Sequence, residues 1–269
     1  MQAYVDGVAL WSPRLPGWEA AAPVLRGEHA LPEASVPRPA PTLLPPNERR
    51  RAPDTVAVAL EVAARACEHA GVDRTRVASV FTSTHGDLAI THYMCETLAS
   101  TPELISPTKF HNSVHNAAAG YWSIATGCMA PYTALSAWAR SFAAGLIEAF
   151  TQLASDGEPV LCVAYDIEAV GPLARVAHSK GVVACALVLV PAQSERSIAR
   201  IQWSTRGDPA PLDSAPISAA AHELSGNAMS ASFALLEALA GRSPTNIRYA
   251  AGPELALELQ VTPLTRKTQ

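Results

Sequence analysis

Runs of apolar, β-branched residues alternate along this chain with Ala-rich segments whose apolar positions recur at helical spacing. The runs at 76–83, 159–165 and 182–190 predict buried strands, because a strand covered on both faces is apolar almost throughout. The segments 55–70 and 87–100 predict helices. This alternation of buried strands and helices indicates a layered α/β fold.

Weaker patterns describe the rest of the chain. They predict strands at 132–135, 198–205 and 254–261 and helices at 142–153 and 227–240. The first 30 residues carry aromatic side chains among prolines and predict one short strand with irregular structure. Proline is dense at 31–53, where it disfavours helix and central strand, so we expect a surface loop that crosses one domain. A domain linker is the alternative, but too little chain precedes this segment to form a core.

Composition narrows the class of protein. The 269 residues are 49% apolar, which is enough for a large core, and we expect a single domain over 1–269. Charged residues make up 16% with a formal net charge of -4, so a nucleic-acid partner, which needs a basic face, is not expected. A surface this poor in charge predicts burial against another subunit.

No segment predicts a membrane span or a targeting signal. The longest apolar run, 181–191, is too short to cross a bilayer, and the N-terminus has no basic region. The five cysteines are odd in number and share no Cys-x-x-Cys spacing, which predicts reduced thiols in a cytoplasmic protein. We expect no cofactor and no metal.

The most informative segment, 105–149, reads ISPTKFHNSVHNAAAGYWSIATGCMAPYTALSAWARSFAAGLIEA. It contains, in order, Ser106-Pro107, an Asn followed by small residues and Gly at 116–120, and an Ala-rich stretch at 139–149. These features resemble the region that leads into the active-site elbow of the β-ketoacyl synthases.

Three further segments resemble the same family: LLPPNERRR at 43–51, FTSTHGDLAI at 81–90 and VACALVLV at 183–190. With the elbow segment they cover roughly residues 40 to 192 at consistent spacing. The resemblance implies a thiolase-like layered α-β-α-β-α fold with two mixed sheets. Its N-terminal half would be 1–192, and 193–269 would be a shortened C-terminal half.

The chemistry of this family needs a cysteine thiolate at a helix N-terminus, two imidazoles and an oxyanion hole. In this alignment Trp138 stands where the family carries Cys, and an indole cannot form a thioester. A slip of one residue places Ala137 or Ala139 there, and neither is a nucleophile. We therefore expect no catalytic residue, and we expect the bulk of Trp138 to fill the chamber where a malonyl group sits.

The imidazole requirement is unmet as well. The family's His-Gly-Thr-Gly-Thr and Asn-x-Phe-Gly-x-Gly-Gly motifs are absent after Val190, where His222 is the only histidine. The tail still resembles the family: 226–242 is similar to the Ala-rich helix after the first catalytic His, and 250–259 to the final turn and strand. Loss of the middle of the C-terminal half accounts for both observations.

The branch of the family that this chain resembles is the β-ketoacyl synthase-like N-terminal domain proteins, or chain length factors, of aryl-polyene type pathways. The resemblance implies a non-catalytic subunit that pairs with a full-length β-ketoacyl synthase and meets the acyl carrier protein through that complex. The residues implied at the dimer interface are Tyr132, Thr133, Ala134, Leu135 and Ser136. The residues implied in the wall of the partner's acyl tunnel are Leu88, Thr91, His92, Lys109, Phe110, His111 and Ser113.

Four other side chains that can take part in chemistry each have two interpretations. His111 and His115 are spaced like a helical metal pair, but no third ligand stands nearby, which favours hydrogen-bonded pocket or interface histidines. Cys128 precedes a strand rather than a helix, which favours a buried thiol over a nucleophile. His85 and Asp87 form either an acid–base pair or a turn with local hydrogen bonds.

Two rival functions follow from these readings. One is an enzyme that acts on an acyl thioester with His85 or His111 as its acid–base residue. The other is a structural or carrier-docking subunit that leaves chain length unchanged.

Overall fold

Nine strands form one mixed sheet in the computed structural model, which describes residues 1–208 and 211–264. The strands are β1 (Gln2–Ser12), β2 (Leu15–Pro16), β3 (Ala78–Thr82), β4 (Tyr132–Leu135), β5 (Val160–Asp166), β6 (Val183–Val190), β7 (Ala199–Gly207), β8 (Thr245–Gly252) and β9 (Leu255–Pro263). The helices are α1 (Trp18–Leu25), α2 (Pro46–Arg51), α3 (Asp54–Ala70), α4 (Leu88–Ser100), α5 (Pro107–His111), α6 (Ala117–Thr126), α7 (Ser141–Asp156), α8 (Ala219–Glu223) and α9 (Ser232–Ala240). The predicted layered α/β class is therefore confirmed.

The strand order in the sheet is β4-β3-β5-β6-β1-β7-β9-β8, and β2 pairs with β1. Strand β3 is parallel to β4 and β5, whereas β6 is antiparallel to both of its neighbours. The expected two sheets are joined, because β1 also pairs with β7 from Gln2 opposite Gln202 to Val5 opposite Ala199. The N-terminal strands and the three C-terminal strands are thus one hydrogen-bonded surface.

Helix α7 lies in the layer between the N-terminal strands and the C-terminal strands. It packs on β3 and β5, while its Phe150 ring stacks on Trp203 of β7 at 5.1 Å and its Phe142 ring meets Tyr249 of β8 at 5.5 Å. Helix α9 belongs to the same apolar cluster, and α3 and α6 cover the opposite face of the N-terminal strands. The largest core therefore surrounds the helix that follows the elbow.

The C-terminal strands have one apolar and one polar face. Along β7, Ile201 and Trp203 are buried on the inner face, whereas Gln202 and Ser204 are exposed on the other. Gln260 of β9 is exposed on that outer face as well. This alternation is typical of a sheet that meets water on one side, so the shortened half ends in a solvated strand layer.

The edge of β8 is capped by the loop that precedes α8. Ser214 N–H donates to Arg248 O at 2.7 Å, and Arg248 N–H donates to Ser214 Oγ at 2.9 Å. The Asp213 carboxylate accepts a 2.7 Å bond from Ala250 N–H. Unpaired strand edges attract other chains, and these three bonds close this one.

The sequence prediction for the first 30 residues was wrong. Strand β1 spans eleven residues and lies between β6 and β7 in the centre of the sheet, and α1 follows it. Both faces of β1 are buried, so it lacks the alternation that marks a half-exposed strand. Gly7 is required there because a Cβ at this position would lie 2.0 Å from Ala66 O of α3.

The sequence pattern also fails to predict α2, α5, α6, α8 and β8. Helix α2 begins with Pro46 inside the proline-rich segment, because proline is well tolerated in the first turn of a helix. Strand β8 buries Ile247 and Tyr249 but ends in Ala-Ala-Gly, which gives a weak strand pattern. Within residues 1–208 and 211–264, no helix combines the length and apolar character needed to cross a bilayer.

Candidate functional site

The turn between β4 and α7 forms a sharp elbow with Trp138 near its middle. Among the described residues, Trp138 alone has a positive φ without being glycine, with φ = 53°. Ser141 Oγ accepts a 3.0 Å bond from Ala137 N–H and donates a 2.6 Å bond to Trp138 O. A bulky residue in the left-handed region is rare and costly, and such residues concentrate at functional sites. The turn before α7 is therefore a sharp elbow with a strained backbone and an indole at its tip.

The indole of Trp138 borders an open cavity rather than filling a chamber, which corrects the expectation from its size. The Trp138 side chain is 62% exposed, and its ring meets the His85 ring edge-on at 5.3 Å. The cavity beside it measures about 390 Å³. Its lining includes Thr84, His85, Val176, His178 and Asn227.

A buried carboxylate holds one wall of this cavity. Asp166, at the end of β5, accepts hydrogen bonds from Ser83 Oγ at 2.8 Å, Thr84 N–H at 2.8 Å and His85 N–H at 3.1 Å. Burial raises the pKa of Asp166, and these donors oppose the rise. Burial also lowers the pKa of His85, an effect that the Asp166 carboxylate opposes. The hydrogen bonds from Asp166 therefore hold the turn that carries His85 in place.

A buried amide holds another part of the cavity wall. Asn227 Nδ2 donates to the backbone oxygens of Asp166 at 3.2 Å, Lys180 at 3.2 Å and Gly181 at 3.1 Å. Its Oδ1 accepts a 2.9 Å bond from Met229 N–H. Sequence reasoning missed Asn227 and His178, because neither belongs to a local motif. The available signal was the position of Asn227 as the first residue of the predicted helix 227–240.

The cysteines lie away from the elbow. Cys128 is buried, as expected, and its Sγ contacts Val77 O at 3.5 Å. Burial raises the pKa of both Cys67 and Cys185 to about 12, and burial also raises that of Cys162. Cys95 is exposed on α4. A thiol with a high pKa is a poor nucleophile, and none of the five lines the cavity.

The histidines and Asp87 take ordinary local roles. His115 Nε2 lies 2.9 Å from Ser83 O, whereas the His111 ring meets Tyr121 at 6.3 Å. Asp87 caps α4 by accepting a 2.9 Å bond from Ile90 N–H, and it accepts a 3.0 Å bond from Thr55 Oγ1. These bonds agree with the interpretation of Asp87 as a turn residue with local hydrogen bonds. The described part of the chain contains no cluster of three or more His, Cys, Asp or Glu side chains placed to bind a metal ion.

The residues expected in the acyl wall lie on two neighbouring helices, α4 and α5. Leu88 is buried with Ala169 and Ala177, and the ring of His92 packs against Gly171. Thr91 is partly buried on the same helix. The remaining wall candidates are exposed on or just after α5: Lys109, Phe110, His111 and Ser113. Helices α4 and α5 are joined by the Lys109 ammonium, which lies 3.8 Å from the centre of the Tyr93 ring.

Four of the five residues expected at the dimer interface lie on β4, the strand at one edge of the described sheet. Ser79 N–H donates to Pro131 O and Ser83 N–H to Leu135 O, so these carbonyls face β3. By alternation, the backbone groups of Tyr132 and Ala134 face away from the sheet. Ser136 follows the strand and donates a 3.0 Å bond from Oγ to Thr84 O.

Large apolar side chains are exposed along the segment 110–132, which leads into β4. On α5, on α6 and in the turns beside them, the exposed fractions are 63% for Phe110, 53% for Val114, 83% for Ile124 and 92% for Met129. Tyr132 of β4 is 40% exposed and its hydroxyl accepts a 3.3 Å bond from Asn116 Nδ2. Apolar side chains concentrated in this way mark an interaction surface.

Comparison with known families and structures identifies the class of protein. Residues 23–246 match the model of the β-ketoacyl synthase N-terminal domain. Comparison with the curated proteins finds no match.

Three solved structures share the fold over nearly the whole of both chains. A structure of the ketosynthase ApeO in complex with its chain length factor ApeC, from Xenorhabdus doucetiae, is 21% identical with a TM-score of 0.70, and the match covers 97% of this chain and 99% of the other. The ishigamide ketosynthase/chain length factor is 16% identical with a TM-score of 0.71, covering 98% and 100%. The AntDE:AntF complex of a type II polyketide ketosynthase with its acyl-carrier protein is 12% identical with a TM-score of 0.74, covering 98% and 99%.

The expected thiolase-like layered fold is confirmed by these likenesses, and at 269 residues the chain is truncated relative to a full ketosynthase. The family match covers most of the sequence, including the elbow and the strands on either side of it. This chain belongs to the β-ketoacyl synthase family.

Proposed function

We propose that this protein is a chain length factor, a non-catalytic subunit that pairs with an active ketosynthase and shapes its acyl tunnel. The observation that carries the proposal is the elbow, whose strained tip holds an indole and no nucleophile. Condensation needs a thiolate at that position, so the partner has to supply it.

The unpaired edge of β4 supports pairing with another subunit. The backbone groups of Tyr132 and Ala134 face away from the sheet, and exposed apolar side chains lie on the segment that leads into the strand. A strand edge beside apolar surface is stabilised when a partner strand and its apolar residues cover it. Two of the solved structures with this fold are described as a ketosynthase with a chain length factor, which favours a ketosynthase as the partner.

Helices α4 and α5 would form the wall of the partner's acyl tunnel. The residues assigned to this role are Leu88, Thr91, His92, Lys109, Phe110, His111 and Ser113. A wall discriminates chain length because each methylene that cannot be buried forfeits about 0.8 kcal/mol, and overpacking adds strain. We further propose that the complex is cytoplasmic, that it makes an aryl-polyene type product and that it meets the acyl carrier protein through the ketosynthase.

Product length in the reconstituted complex tests this proposal. We expect Thr91→Phe to shift the products of the ketosynthase complex towards shorter chains by at least one extension unit, because the larger side chain shortens the tunnel. Mass spectrometry of the carrier-bound products measures the shift. Thr151→Phe is the matched control, because Thr151 is exposed on α7 and lies outside the assigned wall.

Three results would contradict the proposal. An unchanged product distribution with Thr91→Phe would leave only a docking role. Condensation by the isolated chain, abolished by His85→Ala, would make the protein an enzyme with its own acid–base residue. If no ketosynthase tested formed a stable complex with this chain, the proposed pairing would be contradicted.

A further inference from the structure

The loop between β5 and β6, residues 167–182, forms a backing loop behind the first turns of α4. The middle of the loop packs on this helix. Leu88 of α4 is buried in a small apolar cluster with Ala169 and Ala177, and Leu173 packs against the cluster. The backing loop therefore supports the part of α4 that carries three of the residues assigned to the tunnel wall.

Hydrogen bonds anchor the backing loop at its base. Ala169 N–H donates to Ser179 O at 2.9 Å, which closes the loop on itself. Ser179 is buried, and its Oγ accepts a 3.2 Å bond from Ala228 N–H in the segment before α9. Asn227 Nδ2, in the same segment, donates to Lys180 O at 3.2 Å. The loop is thus held from the C-terminal part of the chain and forms a firm support for the side chains of α4.

Gly171 of the backing loop lies against the His92 ring of α4. A Cβ at this position would stand 2.9 Å from three ring atoms of His92, namely Cγ, Cδ2 and Cε1. That separation is shorter than van der Waals contact, so the ring would have to move. Glycine allows the loop backbone to approach this closely. The missing side chain at residue 171 therefore determines where the His92 ring stands.

Exposure along α4 increases from the backing loop outwards. Leu88 is buried and His92, one turn later, is partly buried. Cys95 and Glu96, which follow after a further turn, are exposed. The cover of the backing loop thus ends at His92, and a ring displaced from Gly171 moves towards the exposed part of the helix.

We propose that Gly171 is a positioning residue that sets the depth of the partner's acyl tunnel through the His92 ring. The inference rests on the proposed function, in which His92 belongs to the wall of that tunnel. Gly171 acts through the ring and needs no contact with the acyl chain. The position of the ring determines how many methylenes can be buried before the acyl chain meets the wall. Control of chain length thus extends to the backing loop.

Product length in the reconstituted complex with Gly171→Ala tests this inference. The added methyl group pushes the His92 ring outwards, so we expect products that are shorter by at least one extension unit. His92→Ala removes the ring and should give longer products. In the double variant the methyl group has no ring to displace, so its products should match those of His92→Ala alone. Mass spectrometry of the carrier-bound products measures each distribution.

Gly157→Ala is the matched control for backbone strain. Gly157 and Gly171 both have a positive φ, 70° and 62°, so alanine is disfavoured at both positions. A Cβ on Gly157 meets no atom of the described residues within 4 Å, and Gly157 follows α7, outside the assigned wall. We expect this variant to give wild-type products. The proposal would be overturned if Gly171→Ala gave wild-type products too, or if its shift persisted unchanged in the His92→Ala background.

Urea unfolding of the isolated full chain tests the contact between Gly171 and His92 without the partner. We expect Gly171→Ala to lower the midpoint of unfolding in the wild-type background by more than it does in the His92→Ala background, because residues in contact are energetically coupled. Equal shifts in the two backgrounds would show that the methyl group does not displace the ring, and they would contradict the inference.

The Thr91→Phe variant distinguishes failure of this inference from failure of the proposed function. If Thr91→Phe shifts the product length and Gly171→Ala does not, α4 lines the tunnel but the backing loop does not set its depth. If neither variant shifts the product length, the proposed function fails together with this inference.

Discussion

At the scale of single residues, the backbone of Trp138 and the carboxylate of Asp166 determine the conformation of the two turns beside the cavity. Trp138 has φ = 53°, where every residue except glycine is disfavoured. We expect Trp138→Gly to be more stable than Trp138→Ala by about 1 kcal/mol, which reverses the usual order for these two residues. Both variants lose the same indole contact with His85, so urea unfolding of the pair isolates the backbone effect. Equal stabilities would mean that the elbow relaxes when the indole is removed.

Asp166 fixes the turn at 83–85 through three hydrogen bonds. In Asp166→Asn the new amide N–H₂ meets the Thr84 or the His85 N–H, so one buried donor loses its acceptor. We expect a loss of about 1–3 kcal/mol in the free energy of unfolding, measured with urea. Asp156→Asn is the control, because Asp156 is exposed at the end of α7, and it should change stability by less than about 0.5 kcal/mol. An Asp166→Asn variant as stable as the control would show that the carboxylate does not hold the turn.

The sequence predicted Trp138 at the elbow because family spacing fixes that position along the chain. It did not predict His178 or Asn227, which reach the cavity from segments 40 and 89 residues further on. Their meeting depends on tertiary packing, which no local pattern encodes. Nor did it predict that the indole is exposed, because side-chain volume says nothing about direction.

At the scale of elements, the two edges of the sheet differ. The edge of β8 is closed by Asp213 and Ser214, whereas β4 offers the backbone groups of Tyr132 and Ala134 beside exposed apolar side chains. Proteins protect strand edges that have no partner. The contrast supports the proposal that β4, and not β8, pairs with another subunit.

Ala134→Pro tests the role of the β4 edge. The substitution removes an N–H that faces away from β3, so it should leave the internal ladder intact while blocking a strand partner. We expect it to weaken association with the ketosynthase at least tenfold, measured by size-exclusion chromatography of the co-expressed pair. Ala134→Ser keeps the N–H with nearly the same volume and should assemble normally. Normal assembly of the proline variant would place the interface elsewhere.

Periodicity identified the buried strands β3, β5 and β6 and the long helices, because their apolar runs are uninterrupted. It failed for β1, where Asp6 and Gly7 interrupt the run. The Asp6 carboxylate is buried and accepts 2.6 Å bonds from Ser194 and Ser197 Oγ, partners that lie 188 and 191 residues away. A strand cannot be recognised from its own sequence when its buried polar residue has partners that lie so far away along the chain.

At the scale of the whole molecule, the pairing of β1 with β7 makes the two halves one hydrogen-bonded unit, with α7 packed between them. The resemblance predicted the layered fold and the shortening, because order and spacing of segments survive along a chain. It could not predict that the two expected sheets are continuous, because the continuity depends on the pairing of β1 with both β6 and β7.

The polar outer face of β7 and β9 carries a consequence for the behaviour of the chain in concentrated solution. Gln202, Ser204 and Gln260 are exposed there, on strands whose other face is buried. Apolar side chains at the same alternate positions would form a flat sticky surface, on which a second sheet could stack. The polar pattern therefore opposes self-association through this face of the molecule.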